Sequence, residues 1–181
     1  MRYINLSVDD YANMSHENAN ALRSVGVHCD DFSINRHVFN YATQSKQIKP
    51  NDIKTIVGNY DCVQIFHSDE RLLKHVLEGK PKKIVVYHSG TRYRQNHEYY
   101  NELFKDYKQL TDQTEFMQLG KMSYMAPHTV LTSKPKRQDG KLIIGRYPSN
   151  PSVKGTDGIE YVLNQFKEHF EIRVDRTKVN H

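Results

Sequence analysis

Between residues 61 and 88 the chain reads DCVQIFHSDERLLKHVLEGKPKKIVVYH: a short apolar run, a helix-like stretch, a second apolar run. Each run spans only a few residues between turn signals, which reads as a strand. The stretch between them carries the marks of a helix. Ser68 stands at the cap, Asp69 and Glu70 suit the positive end, and Leu72, Leu73, Val76 and Leu77 form one apolar stripe. Gly79 and then Pro81 stop it. Strand, helix, strand in this order commits the chain to parallel pairing, because a crossover of this length returns the second strand in the direction of the first.

The alternation extends through the first 130 residues. Further strands are expected at RYINLS (2–7), VHCDDFSI (27–34), YKQLT (107–111) and KMSYMA (121–126), beside DCVQIFH (61–67) and KIVVYH (83–88). A helix is expected between the first two, with Tyr11, Met14, Leu22 and Val25 on one face and Gly26 as its stop. The fold class is therefore α/β, a Rossmann-like parallel sheet flanked by helices. Residues 131–140, LTSKPKRQDG, read as a linker. A second start follows over 141–181. KLIIGRY is a strand, a helix from about Asp157 places Ile159, Val162, Leu163, Phe166 and Phe170 together, and EIRVD is another strand. One βαβ unit of this size is near the lower limit of about 40 residues for folding alone, so it reads as a partial second domain.

Lys and Arg number 26 against 21 Asp and Glu, a net charge of +5 that weakly favours an anionic partner. The basic residues are dispersed, with no RNA-binding signature, zinc spacing or basic recognition helix, so nucleic acid is not the expected partner. Cys29 and Cys62 show no CxxC or metal spacing and read as reduced thiols of a cytoplasmic protein. Ten histidines form no ligand pattern, so no metal is expected, and no cofactor either. No apolar run approaches the roughly 18 residues of a membrane span.

The stretch IIGRYPSNPSVKGTDGIEYVL concentrates the chemistry. Arg146 ends a strand, where ligands of open α/β sheets gather. Lys154 and Gly155 precede a helix capped by Thr156 or Asp157, with Glu160 placed for a capping box. Unpaired amides at that helix start suit phosphate, and glycine allows close approach. A plain strand–loop–helix corner with two exposed cations accounts for the same residues.

This stretch resembles the opening of the C-terminal domain of GT-B glycosyltransferases, of the large retaining family 4 type. The resemblance covers nearly the whole chain. Residues 1–130 resemble the N-terminal domain, with YHSGTR as its most specific piece, and APHTV resembles the exit strand. It implies that Arg146 and Lys154 hold the diphosphate of a UDP- or GDP-sugar and steady the leaving group without a metal. His88 would touch the donor sugar, and Gly155, Thr156, Gly90 and Thr91 would lie on the donor side. Arg92, beside Ser89, would reach the acceptor across the cleft. The loop from Arg146 to Lys154 is longer than the family pattern by a few residues. The Gly-rich loop of many members is replaced here by SVDDYANMSHEN. In that loop Asp9, Asp10, Asn13 and His16 could meet acceptor hydroxyls, or one of them could cap the first helix. His67 is either a cleft residue or a bond to the helix that follows it. The family's carboxylate motif lies downstream of TKVNH.

The implied reaction moves a sugar from the nucleotide to an acceptor hydroxyl, on a glycan or another molecule, with retention. The alternative is a non-catalytic glycan-binding module, or a fragment completed by a second chain.

Overall fold

The computed structural model describes residues 1–36, 43–125, 142–146 and 155–174, the first two stretches in one unit and the last two in another. Of residues 142, 143 and 146 it describes the backbone. The linker expected at 131–140 lies outside the described residues.

The first unit is built on β1 (Arg2–Asp9), β2 (His28–Asn35), β3 (Lys46–Gln47), β4 (Cys62–Phe66), β5 (Ile84–His88), β6 (Lys108–Thr111) and β7 (Ser123–Tyr124). All pair in parallel, in the order β3-β2-β1-β4-β5-β6-β7. The helices are α1 (Met14–Ser24), α2 (Pro50–Val57), α3 (Glu70–Glu78), α4 (Gly90–Gln95) and α5 (His97–Leu103). This is the Rossmann-like α/β sheet that the alternation of runs predicts. The chain builds outward from β1 to β3, returns to the other flank of β1 with β4, and builds outward again. That reversal opens a crevice at the carboxyl ends of β1 and β4.

β1 is two-faced. Ile4, Leu6 and Val8 join Ile53 and Val57 of α2 and Leu72 and Val76 of α3 in an apolar core. Asn5 and Ser7 point the other way and are equally buried. The Asn5 amide donates to the Ser15 carbonyl (2.9 Å) and to Asn18 Oδ1 (3.0 Å), so α1 rests on a polar floor. This corrects the stripe expected of α1. Tyr11 lies in a 3-10 turn before the helix and Val25 beyond its end, both exposed, whereas Ser15, Asn18 and Ala19 are the buried positions. A polar sheet face selects a polar helix face, which hydrophobic spacing does not register. Gly26 does stop the helix, at φ +83°, with Val27 N–H donating to the Leu22 carbonyl (3.0 Å).

α3 also differs at its start. Its cap is Asp69, whose carboxylate accepts from the Arg71 amide (3.2 Å), and Ser68 lies one residue outside. A second core gathers Val86 with Tyr93, Tyr100, Phe104 and Phe116. Cys29 and Cys62 are buried and free.

The second unit is a parallel pair, β8 (Leu142–Arg146) and β9 (Phe170–Val174), with α6 (Thr156–Asn164) between them in sequence. Its cap is Gly155 at φ +62°, in place of Thr156 or Asp157: the left-handed conformation favours glycine, which brings no side-chain acceptor. Ile159, Tyr161, Val162 and Phe166 are exposed, so the apolar face expected there is largely uncovered.

Candidate functional site

Three loops meet at the carboxyl edge, after β1, β4 and β5. Asp10 follows β1 and is completely buried. Its Oδ1 accepts from the Ser15 amide (2.8 Å), and its Oδ2 from the His16 amide (3.2 Å) and the Ser45 hydroxyl (2.7 Å). A carboxylate thus occupies the first turn of α1, the place where a βα unit commonly receives phosphate. Burial pushes the Asp10 carboxyl above its ordinary pKa, against the bonds from Ser45, Ser15 and His16 that favour the ionised form. Asn13 accepts from the Gln44 amide (3.0 Å), and His16 Nδ1 pairs with Asp31 (2.9 Å). Asp10, Asn13 and His16 therefore come together as the sequence suggests, bonded to the chain itself. Of the two roles open to Asp10, capping is the one on display.

Where a glycine-rich loop would turn freely, Ala12 and Asn13 both take φ +54°. The loop after β4 does the same, with His67 at φ +62° and Ser68 at φ +54°. Left-handed residues with side chains cost about 1–2 kcal/mol each, and here two such pairs flank the crevice. His67 Nδ1 lies 2.6 Å from Ser89 Oγ, and its ring meets Tyr11 edge-on with centroids 5.0 Å apart. His67 therefore ties the β5 loop to the β1 loop across the crevice.

His88, at the end of β5, is fully buried. Its Nε2 lies 2.8 Å from Gln109 Oε1, an acceptor only, so Nε2 carries the proton. Nδ1 then accepts from the Ser68 hydroxyl (2.8 Å). Burial lowers its pKa to about 4, leaving a neutral ring. With both nitrogens engaged within the chain, His88 forms the floor beneath the crevice. The next residue, Ser89, is buried as well, and Gly90, at φ +70°, and Thr91 are exposed beyond it.

Charge on this edge is organised around Asp69, which is buried. Arg71 Nε and Nη2 clasp its two oxygens (2.8 and 2.6 Å), and Arg92 Nη1 forms an ion pair with it (3.0 Å). Arg71 also lies 3.8 Å from Asp9, and Arg92 4.0 Å from Glu70. Arg94 turns away to Glu115 and the face of Phe116. From sequence alone, Asp69 is placed only at the positive end of a helix and Arg71 is not singled out. Charged residues three and five positions past the end of β4, at the reversal of strand order, were the available signal.

In the second unit, Arg146 closes β8 opposite Val174, and Lys154 lies outside the described residues. Gly155 is exposed, while Thr156 is 1% exposed and its hydroxyl has no hydrogen-bond partner among the described residues. Among the described residues no three His, Cys, Asp or Glu side chains are placed to hold a metal ion. Nor is any helix among them long and apolar enough to cross a membrane. No protein-family model, curated protein or solved structure matches this chain.

Proposed function

We propose that this chain serves retaining sugar transfer of the GT-B, family 4 kind: it binds a UDP- or GDP-sugar on the second unit and presents an acceptor hydroxyl on the first. One contrast between the two strand–loop–helix corners carries the reading. The start of α1 is filled by the Asp10 carboxylate, whereas α6 begins at a glycine, with a buried threonine hydroxyl behind it that has no partner among the described residues. A diphosphate is repelled by the first corner and suited to the second, which stands at the Gly-Arg and Lys-Gly-Thr elements of the family pattern.

In this reading Arg146 and Lys154 balance the charge that grows on the departing diphosphate, the preorganised electrostatic assistance that lowers such barriers. Gly155 lets the phosphate approach the α6 amides, and Thr156 donates from below. His88 acts indirectly, fixing the Ser68 and Ser89 loops against which Gly90, Thr91 and Arg92 meet the substrates.

Titration calorimetry of the full chain with UDP and with GDP tests the assignment. One of the two is expected to bind, and Arg146→Ala and Lys154→Ala each to weaken it about 10- to 100-fold, the worth of one charge-assisted hydrogen bond. Lys121→Ala, on an exposed position of the first unit, serves as the charge control. Equal affinity in all four proteins, or no binding by either nucleotide, removes the assignment.

The exposed apolar side chains of α6 favour a second reading, a fragment completed by another chain. Transfer from a labelled nucleotide sugar that emerges only on mixing with a second polypeptide would select it.

A further inference from the structure

We infer that the acceptor site on the first unit takes an uncharged sugar and discriminates against acceptors bearing phosphate or carboxylate. The inference rests on the sugar-transfer reading for the word acceptor, and on the crevice alone for the chemistry.

Arginines at a sheet edge ordinarily invite anions. Here neither is at liberty to do so. Arg71 spends a bidentate pair on Asp69 and Arg92 an ion pair, on a carboxylate that is only 5% exposed and held on two sides. An incoming anion would have to displace that carboxylate and leave it buried without its partners, a severe cost. Asp9 and Glu70 stand behind the same guanidinium groups, so the crevice holds three carboxylates against two cations. The other anion slot, at the start of α1, is already filled by Asp10.

What remains is suited to hydroxyl groups. Paired carboxylates keep unused lone pairs and paired guanidiniums keep unused N–H groups, so a polyol finds acceptors and donors fixed in place without adding charge. Asp9 offers an oxygen at the rim, and Arg71 and Arg92 their outward N–H groups. Tyr11, 43% exposed and braced edge-on by His67, adds an aromatic surface for the C–H face of a pyranose ring.

The test uses the full chain, 15N-labelled, observed by amide NMR. The neutral probes are methyl α-glucoside, methyl α-mannoside, maltotriose and N-acetylglucosamine; the anionic ones are glucose 6-phosphate and glucuronate. At least one neutral probe is expected to shift the amides of Tyr11, Ser89 and Gly90 saturably, at least tenfold more tightly than either anion. Tyr11→Ala should weaken that response at least fivefold while leaving the remaining amide spectrum in place. Arg71→Gln removes one of the two cations and leaves Asp69 to Arg92 alone, so it should sharpen the discrimination against the anionic probes. Tighter binding of an anionic probe overturns the inference, as does silence from every neutral probe. UDP and GDP are titrated in parallel. A nucleotide response at Gly155 and Thr156 without a sugar response leaves the transfer reading standing and sinks this one. The converse result leaves a glycan-binding module.

Discussion

At the scale of single residues, the crevice is held by two buried ionisable groups that pull stability in opposite directions with pH. His88 has its pKa lowered from 6.5 to about 4 by burial, so below pH 6.5 the unfolded chain takes up a proton that the folded chain refuses. Stability is intact above pH 6.5 and drains away as pH falls toward 4, by about 3 kcal/mol over the interval. Asp10 runs the other way. Its folded pKa lies above 3.8, so its contribution is present below that value and lost as pH rises through the elevated one. Denaturant melts of the wild type, His88→Gln and Asp10→Asn from pH 7.5 to 4 should therefore fan apart. His88→Gln is expected to be the least acid-sensitive, Asp10→Asn the most. Parallel curves would mean that neither group is buried as described. His88 and its neighbour Ser89 show how much of the crevice lies beyond the reach of a local motif. YHSGTR marks a strand end, and both His88 and Ser89 in it are buried. Their burial rests on bonds from His88 to Gln109 and Ser68 and from Ser89 to His67, long-range partners that no local motif encodes.

At the scale of elements, glycine separates packing from propensity. Gly79 ends α3 where the chain passes α2, and a Cβ there would overlap the Val57 side chain and lie 2.6 Å from the Lys54 carbonyl oxygen. Gly158 sits in α6 with nothing within 4 Å of its would-be Cβ. Gly79→Ala should cost about 1–3 kcal/mol by forcing α2 and α3 apart, whereas Gly158→Ala should stabilise α6 by about 0.5–1 kcal/mol. Chemical denaturation monitored by circular dichroism reads the first. The second is read by amide exchange in α6, and a loss of protection there would contradict the open surface. Sequence was a good guide to elements wherever burial is apolar. β4 and β5 announce themselves as continuous runs, and α3 by Leu72 and Val76. It failed where burial is polar or the element is short. Asn5, Ser15 and Asn18 form a hydrogen-bonded layer that carries no hydrophobic period, and β3 is two exposed polar residues placed only by pairing with Phe32 and Ser33. The capping of α1 by Asp10 needed Ser45, 35 residues away, to complete it.

At the scale of the whole molecule, the two units differ in what they can support alone. Seven strands and both apolar cores belong to the first, within residues 1–125. Among its described residues the second offers two parallel strands, one helix, and the exposed side chains of Ile159, Tyr161, Val162 and Phe166. Parallel pairs depend on cover from both faces, and two-stranded sheets are marginal in water even with a good turn. Expressed separately, residues 1–130 should melt cooperatively with a Tm within a few degrees of the full chain. Residues 131–181 should give narrow amide dispersion and no cooperative transition. Because binding to a folded state stabilises it by mass action, UDP or GDP at a hundred times its Kd should add about 2.7 kcal/mol to the unit that holds it. If the diphosphate belongs to the second unit, saturating nucleotide raises amide protection in α6 of the full chain and leaves the melting of the 1–130 fragment untouched. Nucleotide that stabilises the fragment instead would place the phosphate in the first unit, against the carboxylate of Asp10, and the division of labour between the two corners would fall.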